Sequence, residues 1–174
     1  MKLHTFLTGE IQTGKSTLIR RWLEAHPRLR TGGFRTVRGP RQADGSDCVH
    51  IIPAVGQAAL TEENCVIRRR GVYPERRLDV FTDVFDTVGT SLLQDAPECD
   101  VVVMDEIGFS EDGALDFRYR VLEVLAGKTP VIGVVRDRPG VLADAVRRQP
   151  GVRIITVTAQ NRDAVLAELL ERGI

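Results

Sequence analysis

The stretch Gly9-Glu10-Ile11-Gln12-Thr13-Gly14-Lys15-Ser16-Thr17 carries the spacing Gly-x-x-x-x-Gly-Lys-Ser/Thr, the Walker A pattern. Each fixed residue type in it has a physical task. Gly9 lets the chain leave a strand in a tight turn, and Gly14 lets backbone N–H groups close around phosphate oxygens. Lys15 supplies a point charge for the β- and γ-phosphates, and the Ser16 hydroxyl offers a coordination position for Mg²⁺. A helix beginning at Lys15 turns its N-terminal dipole toward the same anion. The expected nucleotide-binding set is therefore Gly9, Glu10, Ile11, Gln12, Thr13, Gly14, Lys15, Ser16 and Thr17. Gln12 stands where many such loops carry a Gly, so a positive φ is expected at a residue that resists it.

A second group of candidates follows the apolar run Val101-Val102-Val103-Met104, which is directly succeeded by Asp105-Glu106. Such a run suits a strand covered on both faces. Both carboxylates then stand at the C-terminal edge of a central strand, where open α/β sheets bind ligands. This is the Walker B arrangement. Asp105 is expected to hold Mg²⁺, directly or through one of its waters. Glu106 is expected to take a proton from, or orient, the water that attacks the γ-phosphate. Arg136 ends the apolar run Val131 to Val135 and can stabilise charge on the γ-phosphate, with Arg138 as the neighbouring alternative. Asn161 and Arg162 follow the last strand, where a loop passes beside the base or ribose; Asn161 also suits a helix cap. Glu111 either steadies the loop after Asp105 or is solvated. No Asn-Lys-x-Asp is present to read guanine.

These residues need a scaffold, and the hydrophobic pattern predicts one. Leu3, Phe6 and Leu7, with His4 and Thr5, read as a short buried strand before the glycine loop. Leu18, Ile19, Trp22 and Leu23 then form a helical stripe, stopped at His26-Pro27. Gly32 to Arg38 and Cys48 to Ile52, separated by turn formers, read as a β-hairpin. From Pro53 to Pro74 the pattern is least readable. The run Arg68-Arg69-Arg70, with Arg76 and Arg77 behind it, reads as a solvated loop, because like charges repel unless something separates them. The sharper reading is a mobile flap over residues 53–77 that brings an Arg to the phosphates. Leu78 to Leu93 is expected as one helix with Val80, Phe81, Val84, Phe85, Val88 and Leu92 on a face that Gly89 weakens. Further helices are expected around Leu115, Tyr119, Leu122 and Leu125, over Val141 to Arg147, and around Val165, Leu166, Leu169 and Leu170. Val131 to Val135 and Val152 to Val157 complete the strands. This alternation predicts a single three-layer α/β domain over residues 1–174, with a mainly parallel central sheet and an added β-hairpin.

Composition narrows the function classes. Lys plus Arg total 24 and Asp plus Glu total 24, so no global field draws the chain to nucleic acid or to a membrane surface. Cys48, Cys65 and Cys99 show no Cys-x-x-Cys spacing and suggest neither a zinc site nor a disulfide framework. No apolar run approaches the roughly 20 residues needed to span a bilayer. The first strand begins too early to leave room for a signal peptide. A soluble, cytoplasmic protein is expected, with a protein partner left open.

Taken in order, Gly9 to Thr17, Gly33-Phe34-Arg35-Thr36, Asp105-Glu106-Ile107-Gly108 with Glu111, and Thr158-x-x-Asn161-Arg162-Asp163 resemble the small P-loop nucleoside-triphosphatases of the THEP type. The resemblance covers most of the chain. It implies Mg²⁺-dependent hydrolysis of ATP, GTP and other nucleoside triphosphates, with loose preference for the base. Gln12 in place of a usual Gly, Ser110 in place of a common Met, and the stretch Pro53 to Pro74 depart from that pattern. Two other readings of the same motifs are a nucleotide or small-molecule kinase and a nucleotide-binding switch with little turnover.

Overall fold

The computed structural model describes residues 4–72 and 74–174. Leu3, read as part of the first strand, and Tyr73, inside the unreadable stretch, lie outside the described residues. In chain order the elements are β1 (His4–Thr8), α1 (Lys15–Ala25), β2 (Thr31–Arg38), β3 (Asp47–Pro53), β4 (Cys65–Arg70), β5 (Arg77–Val80) and α2 (Thr82–Val84). They continue with β6 (Val101–Ile107), α3 (Leu115–Ala126), β7 (Val131–Val135), α4 (Val141–Arg148), β8 (Val152–Thr156) and α5 (Arg162–Arg172). The described strands form one eight-stranded sheet in the order β5-β4-β3-β2-β6-β7-β1-β8. From β2 to β8 every pairing is parallel; β3, β4 and β5 are added antiparallel beyond β2.

Strand alternation explains the three layers. Val101 and Val103 of β6 face one side, where Leu18, Ile19 and Trp22 of α1 and Val165 and Leu169 of α5 pack against them. Val102 and Met104 face the other side, in a larger core with Phe117, Val121 and Val124 of α3 and Leu142 and Val146 of α4. The Trp22 indole N–H donates to the Leu169 carbonyl at 3.2 Å, tying α1 to α5. No helix among the described residues is long and apolar enough to cross a membrane.

Two local expectations need correction. Leu78 to Leu93 is not one helix. Its first residues belong to β5, which pairs with β4 from Arg77 to Val80, and the helix starts only at Thr82. Leu78 and Val80 are partly exposed, so they are not the top of a buried helical stripe. The helix then widens into a π-helical turn over Phe85–Gly89. Gly89 sits there because a Cβ would lie 2.8 Å from the Phe117 ring, so its absence lets α2 approach α3.

The second correction concerns the arginine run, which is a strand rather than a free loop. Arg68 pairs with Glu62, Arg69 with Asp47 and Arg70 with Asp79, so partner acids remove the repulsion that argued for a solvated loop. The added piece is thus three strands beyond β2 instead of a single hairpin. The helix expected around Leu115, Tyr119, Leu122 and Leu125 is α3; its buried residues are Phe117, Val121, Val124 and Leu125, whereas Leu115 and Tyr119 face solvent.

Candidate active site

The loop between β1 and α1 is shaped by its neighbours. β8 runs parallel to β1, and the Val157 N–H donates to the Thr8 carbonyl at 2.8 Å. A Cβ on Gly9, whose φ is 124°, would fall 2.4 Å from the Val157 carbonyl oxygen. Only glycine fits that turn. Gln12 has φ 65°, the one non-glycine residue with positive φ among those described. The left-handed conformation stores about 1 kcal/mol at this position. Gly14 stands at the N-cap of α1. The Lys15 ammonium donates to the carbonyls of Gly9 at 2.9 Å and Glu10 at 2.5 Å, and to Thr13 Oγ1 at 3.3 Å. Burial lowers the Lys15 pKa, against the opposing pull of the Glu106 and Asp105 carboxylates. The lysine is thus aimed along the loop that would wrap a phosphate.

The carboxylates come from β6, whose pairing with β7 slips between Asp105 and Ile107. Ser16 Oγ donates to Asp105 Oδ1 at 3.0 Å, joining the start of α1 to the edge of the sheet. Burial raises the Asp105 carboxyl to about 6, while the Ser16 hydrogen bond works against that rise. A hydroxyl and a buried carboxylate are hard oxygen donors held together, which suits Mg²⁺ with phosphate and water completing its shell. Glu106 Oε1 accepts from Arg136 Nε at 2.5 Å. Beside this pair, the Gly108 N–H donates to Glu111 Oε2 at 3.0 Å. Glu111 is buried, and burial raises its carboxyl to about 7. Asp112, next along, accepts from the N–H groups of Val141 at 2.9 Å and Leu142 at 3.0 Å and so fixes the start of α4.

A cavity of about 820 Å³ opens over the glycine loop, with Glu106, Arg136 and Arg138 on its other walls. The structure therefore brings the loop, Lys15, Ser16, Asp105, Glu106 and Arg136 together. Asn161 and Arg162 do not line that cavity. Asn161 is the N-cap residue of α5, yet its side chain serves the preceding loop. It accepts from the Thr158 N–H at 2.8 Å and donates to the Thr156 carbonyl at 2.9 Å. Arg162 lies on the surface, 3.9 Å from Asp163.

Arg69 is the addition that sequence reasoning did not secure. It lines the same cavity from β4, and its Nε donates to Asp47 Oδ1 at 2.6 Å. Its Nη2 is buried with no hydrogen-bond partner among the described residues. The signal available was the β-branched pair Val66-Ile67 directly before the arginines, which the charge run obscured.

This arrangement can bind a polyphosphate, hold a divalent cation and present a carboxylate to an attacking oxygen. The sequence pattern of the NTPase family matches residues 4–170 of the chain. The chain belongs to that family. A cancer-related nucleoside-triphosphatase homolog from Mus musculus is 28% identical, with 98% of this chain and 96% of that protein covered. The nucleoside-triphosphatase THEP1 of Methanosarcina acetivorans is likewise 28% identical, covering 98% of this chain and 96% of that protein. The crystal structure of THEP1 from Aquifex aeolicus superimposes with a TM-score of 0.74 at 26% identity, covering 99% of this chain and 100% of that one. This NTPase is thus a nucleoside-triphosphatase with the P-loop α/β fold, and its substrates are nucleoside triphosphates.

Proposed function

We propose that this enzyme is a Mg²⁺-dependent nucleoside-triphosphatase with loose base preference, its chemistry divided among residues at the C-terminal edge of the parallel strands. The observation that carries the reading is the 3.0 Å contact between Ser16 and Asp105 beside Lys15, with Glu106 one residue further along β6. Residues Gly9 to Thr17 take the phosphates through loop N–H groups and the Lys15 ammonium. Ser16 and Asp105 would hold Mg²⁺, which would supply positive charge to offset that of the bound phosphates. Glu106 accepts the proton of the attacking water, and Arg136, already bonded to Glu106, orients it and faces the γ-phosphate. The water oxygen bonds to the γ-phosphorus as the bond to the bridging oxygen breaks. Asn161 and Arg162, which follow β8, would offer the nucleoside only generic contacts. A reducing, cytoplasmic setting suits Cys48, Cys65 and Cys99, which are free thiols.

Phosphate release from ATP, GTP, CTP and UTP, each with Mg²⁺ and with excess chelator, tests the reading. The expected result is hydrolysis that needs the cation and kcat/KM values within about tenfold of each other, or about 1.4 kcal/mol. Turnover in chelator, or a preference of about a hundredfold for one base, contradicts it.

A further inference from the structure

A second cavity, of about 560 Å³, lies on the α1 side of the sheet where β2 passes beyond the cover of that helix. It shares only Ser16 and Thr17 with the cavity over the glycine loop. It thus approaches the Ser16–Asp105 pair from a different direction, and Asp105 lines its inner end. Ile19, Leu23, Val37, Ala54, Val55 and Val103 give it apolar walls. Arg35, which sits beside Asp105 in the β2–β6 register, donates to the carbonyls of Pro53 at 3.3 Å and Gly56 at 3.1 Å. That guanidinium pins the loop carrying Ala54 and Val55, so the outer wall is a fixed surface.

The charges on this cavity balance. Arg20 and Glu24 pair with each other at 3.2 Å on its rim, and Arg35 stands opposite Asp105. A phosphorylated ligand would find no surplus of positive charge here. A neutral ligand with a flat apolar body would find apolar walls, and the Arg20–Glu24 pair would meet its donors and acceptors together. A sugar or small polyol would leave the apolar walls unused. Hydrolysis by water needs no cavity of this size.

We propose that the cavity is a phosphoryl-acceptor site for a neutral nucleoside, so that the enzyme transfers the γ-phosphoryl group to a ribose hydroxyl when one is bound. The proposal rests on the triphosphate lying over Lys15 and Ser16 as assigned above. The hydroxyl oxygen forms the new bond to the γ-phosphorus. The bond from that phosphorus to the bridging oxygen breaks, and its electron pair leaves on the nucleoside diphosphate. The hydroxyl enters past Ser16 and Thr17, where the two cavities meet, and gives its proton to the Glu106 carboxylate on the wall of the glycine-loop cavity. The products are a nucleoside monophosphate and a nucleoside diphosphate.

The test uses the full chain with Mg²⁺ and ATP labelled at the γ-position, alone, with adenosine, guanosine, cytidine or uridine, and with the corresponding nucleoside monophosphates. Labelled monophosphate and free phosphate are followed together. Calorimetric titration of each nucleoside onto protein saturated with a non-hydrolysable ATP analogue reads binding without turnover. The expected result is binding of at least one nucleoside and label in its monophosphate. Val55→Trp fills the cavity from an exposed loop position. It should cut transfer by about tenfold or more while leaving acceptor-free phosphate release within about twofold.

Phosphate release with neither binding nor transfer for any nucleoside overturns the acceptor site and leaves hydrolysis standing. Binding without transfer overturns it as an acceptor site. Label that appears only on added nucleoside monophosphates overturns the neutral-ligand assignment, and undiminished transfer by Val55→Trp overturns its location. Absence of both phosphate release and transfer brings down the hydrolytic reading and this one together.

Discussion

The sheet has two parts built on opposite economies of charge. From β2 through β6, β7 and β1 to β8, the strands are parallel and central ones are sealed by helices on both faces, so Val101 to Met104 and Val131 to Val135 are wholly apolar and buried. On the central strands β6 and β7 charge appears only at the C-terminal end, as Asp105, Glu106 and Arg136, facing Lys15 of the glycine loop. Beyond β2, the antiparallel β3, β4 and β5 carry charge along their lengths. Asp47, buried at the start of β3, accepts from Arg38 Nη2 at 2.5 Å and Arg69 Nε at 2.6 Å. Burial pushes the Asp47 carboxyl up, but the hydrogen bonds from Arg38 and Arg69 outweigh it and hold its pKa below the ordinary value. The parallel part gathers charge at one edge, where a ligand can meet it. The added part uses charge to hold its own strands together.

Substitutions can separate these two uses, and the largest effect is expected at the edge. Glu106→Gln keeps shape and hydrogen-bonding capacity but cannot take a proton. Its kcat should fall by about 10²–10⁴, or about 3–5 kcal/mol of barrier, with nucleotide affinity level or slightly raised. Single-turnover hydrolysis and equilibrium titration check the two halves of that statement. A rate near wild type would move water activation to another group.

Next in size is a pH effect at Glu111, a buried carboxyl of the parallel part where the nearby Arg136 charge only partly offsets burial. Its carboxyl is raised from the ordinary 4.5 to about 7 by burial. The native state therefore holds the proton more tightly than the unfolded chain. This contribution to stability is complete below about pH 4.5 and lost as pH rises to about 7, a change of about 3 kcal/mol. Glu111→Gln should remove it. Urea unfolding across that range should show the variant gaining on wild type as pH rises, and parallel curves would rule out a protonated buried Glu111.

A smaller loss is expected in the added strands. Asp47→Ala leaves two arginines without their shared acid. The cost should be about 2–3 kcal/mol, below the usual range for a buried pair because Arg38 already reaches solvent. Asp47 also holds Arg69, which lines the cavity over the glycine loop, so kcat should fall by less than about tenfold, well short of the Glu106→Gln effect. A large fall in kcat with little loss of stability would reverse the division of labour between the two parts.

The same contrast explains what could be read in advance. Continuous apolar runs and a glycine loop have few alternatives, so β6, β7, β8, α1 and the grouping of Lys15, Ser16, Asp105 and Glu106 were legible from local pattern alone. Gln12 was legible for a different reason: the loop geometry demands φ near 65° whatever residue stands there. The strands β4 and β5 were hidden because their stability comes from partners distant in sequence. Arg69 gains its acid from Asp47, and Arg70 from Asp79. No local window shows such pairs, and β-propensity depends on what lies across the strand. Leu115 and Tyr119 lie on α3 as their spacing predicts, yet face solvent, where single exposed apolar side chains are ordinary.

The central claim is that the edge of the parallel strands holds a triphosphate through the glycine loop and Lys15. Calorimetric titration of ATP with Mg²⁺ into wild type and Lys15→Ala tests it most directly. The Lys15 side chain is buried against loop carbonyls rather than in the apolar core, so the variant should remain folded. Loss of charge-assisted contacts worth about 1.5–3 kcal/mol should weaken binding by about 10–100-fold or more. A folded Lys15→Ala protein that binds ATP as tightly as wild type would contradict the assignment of this loop as the phosphate site.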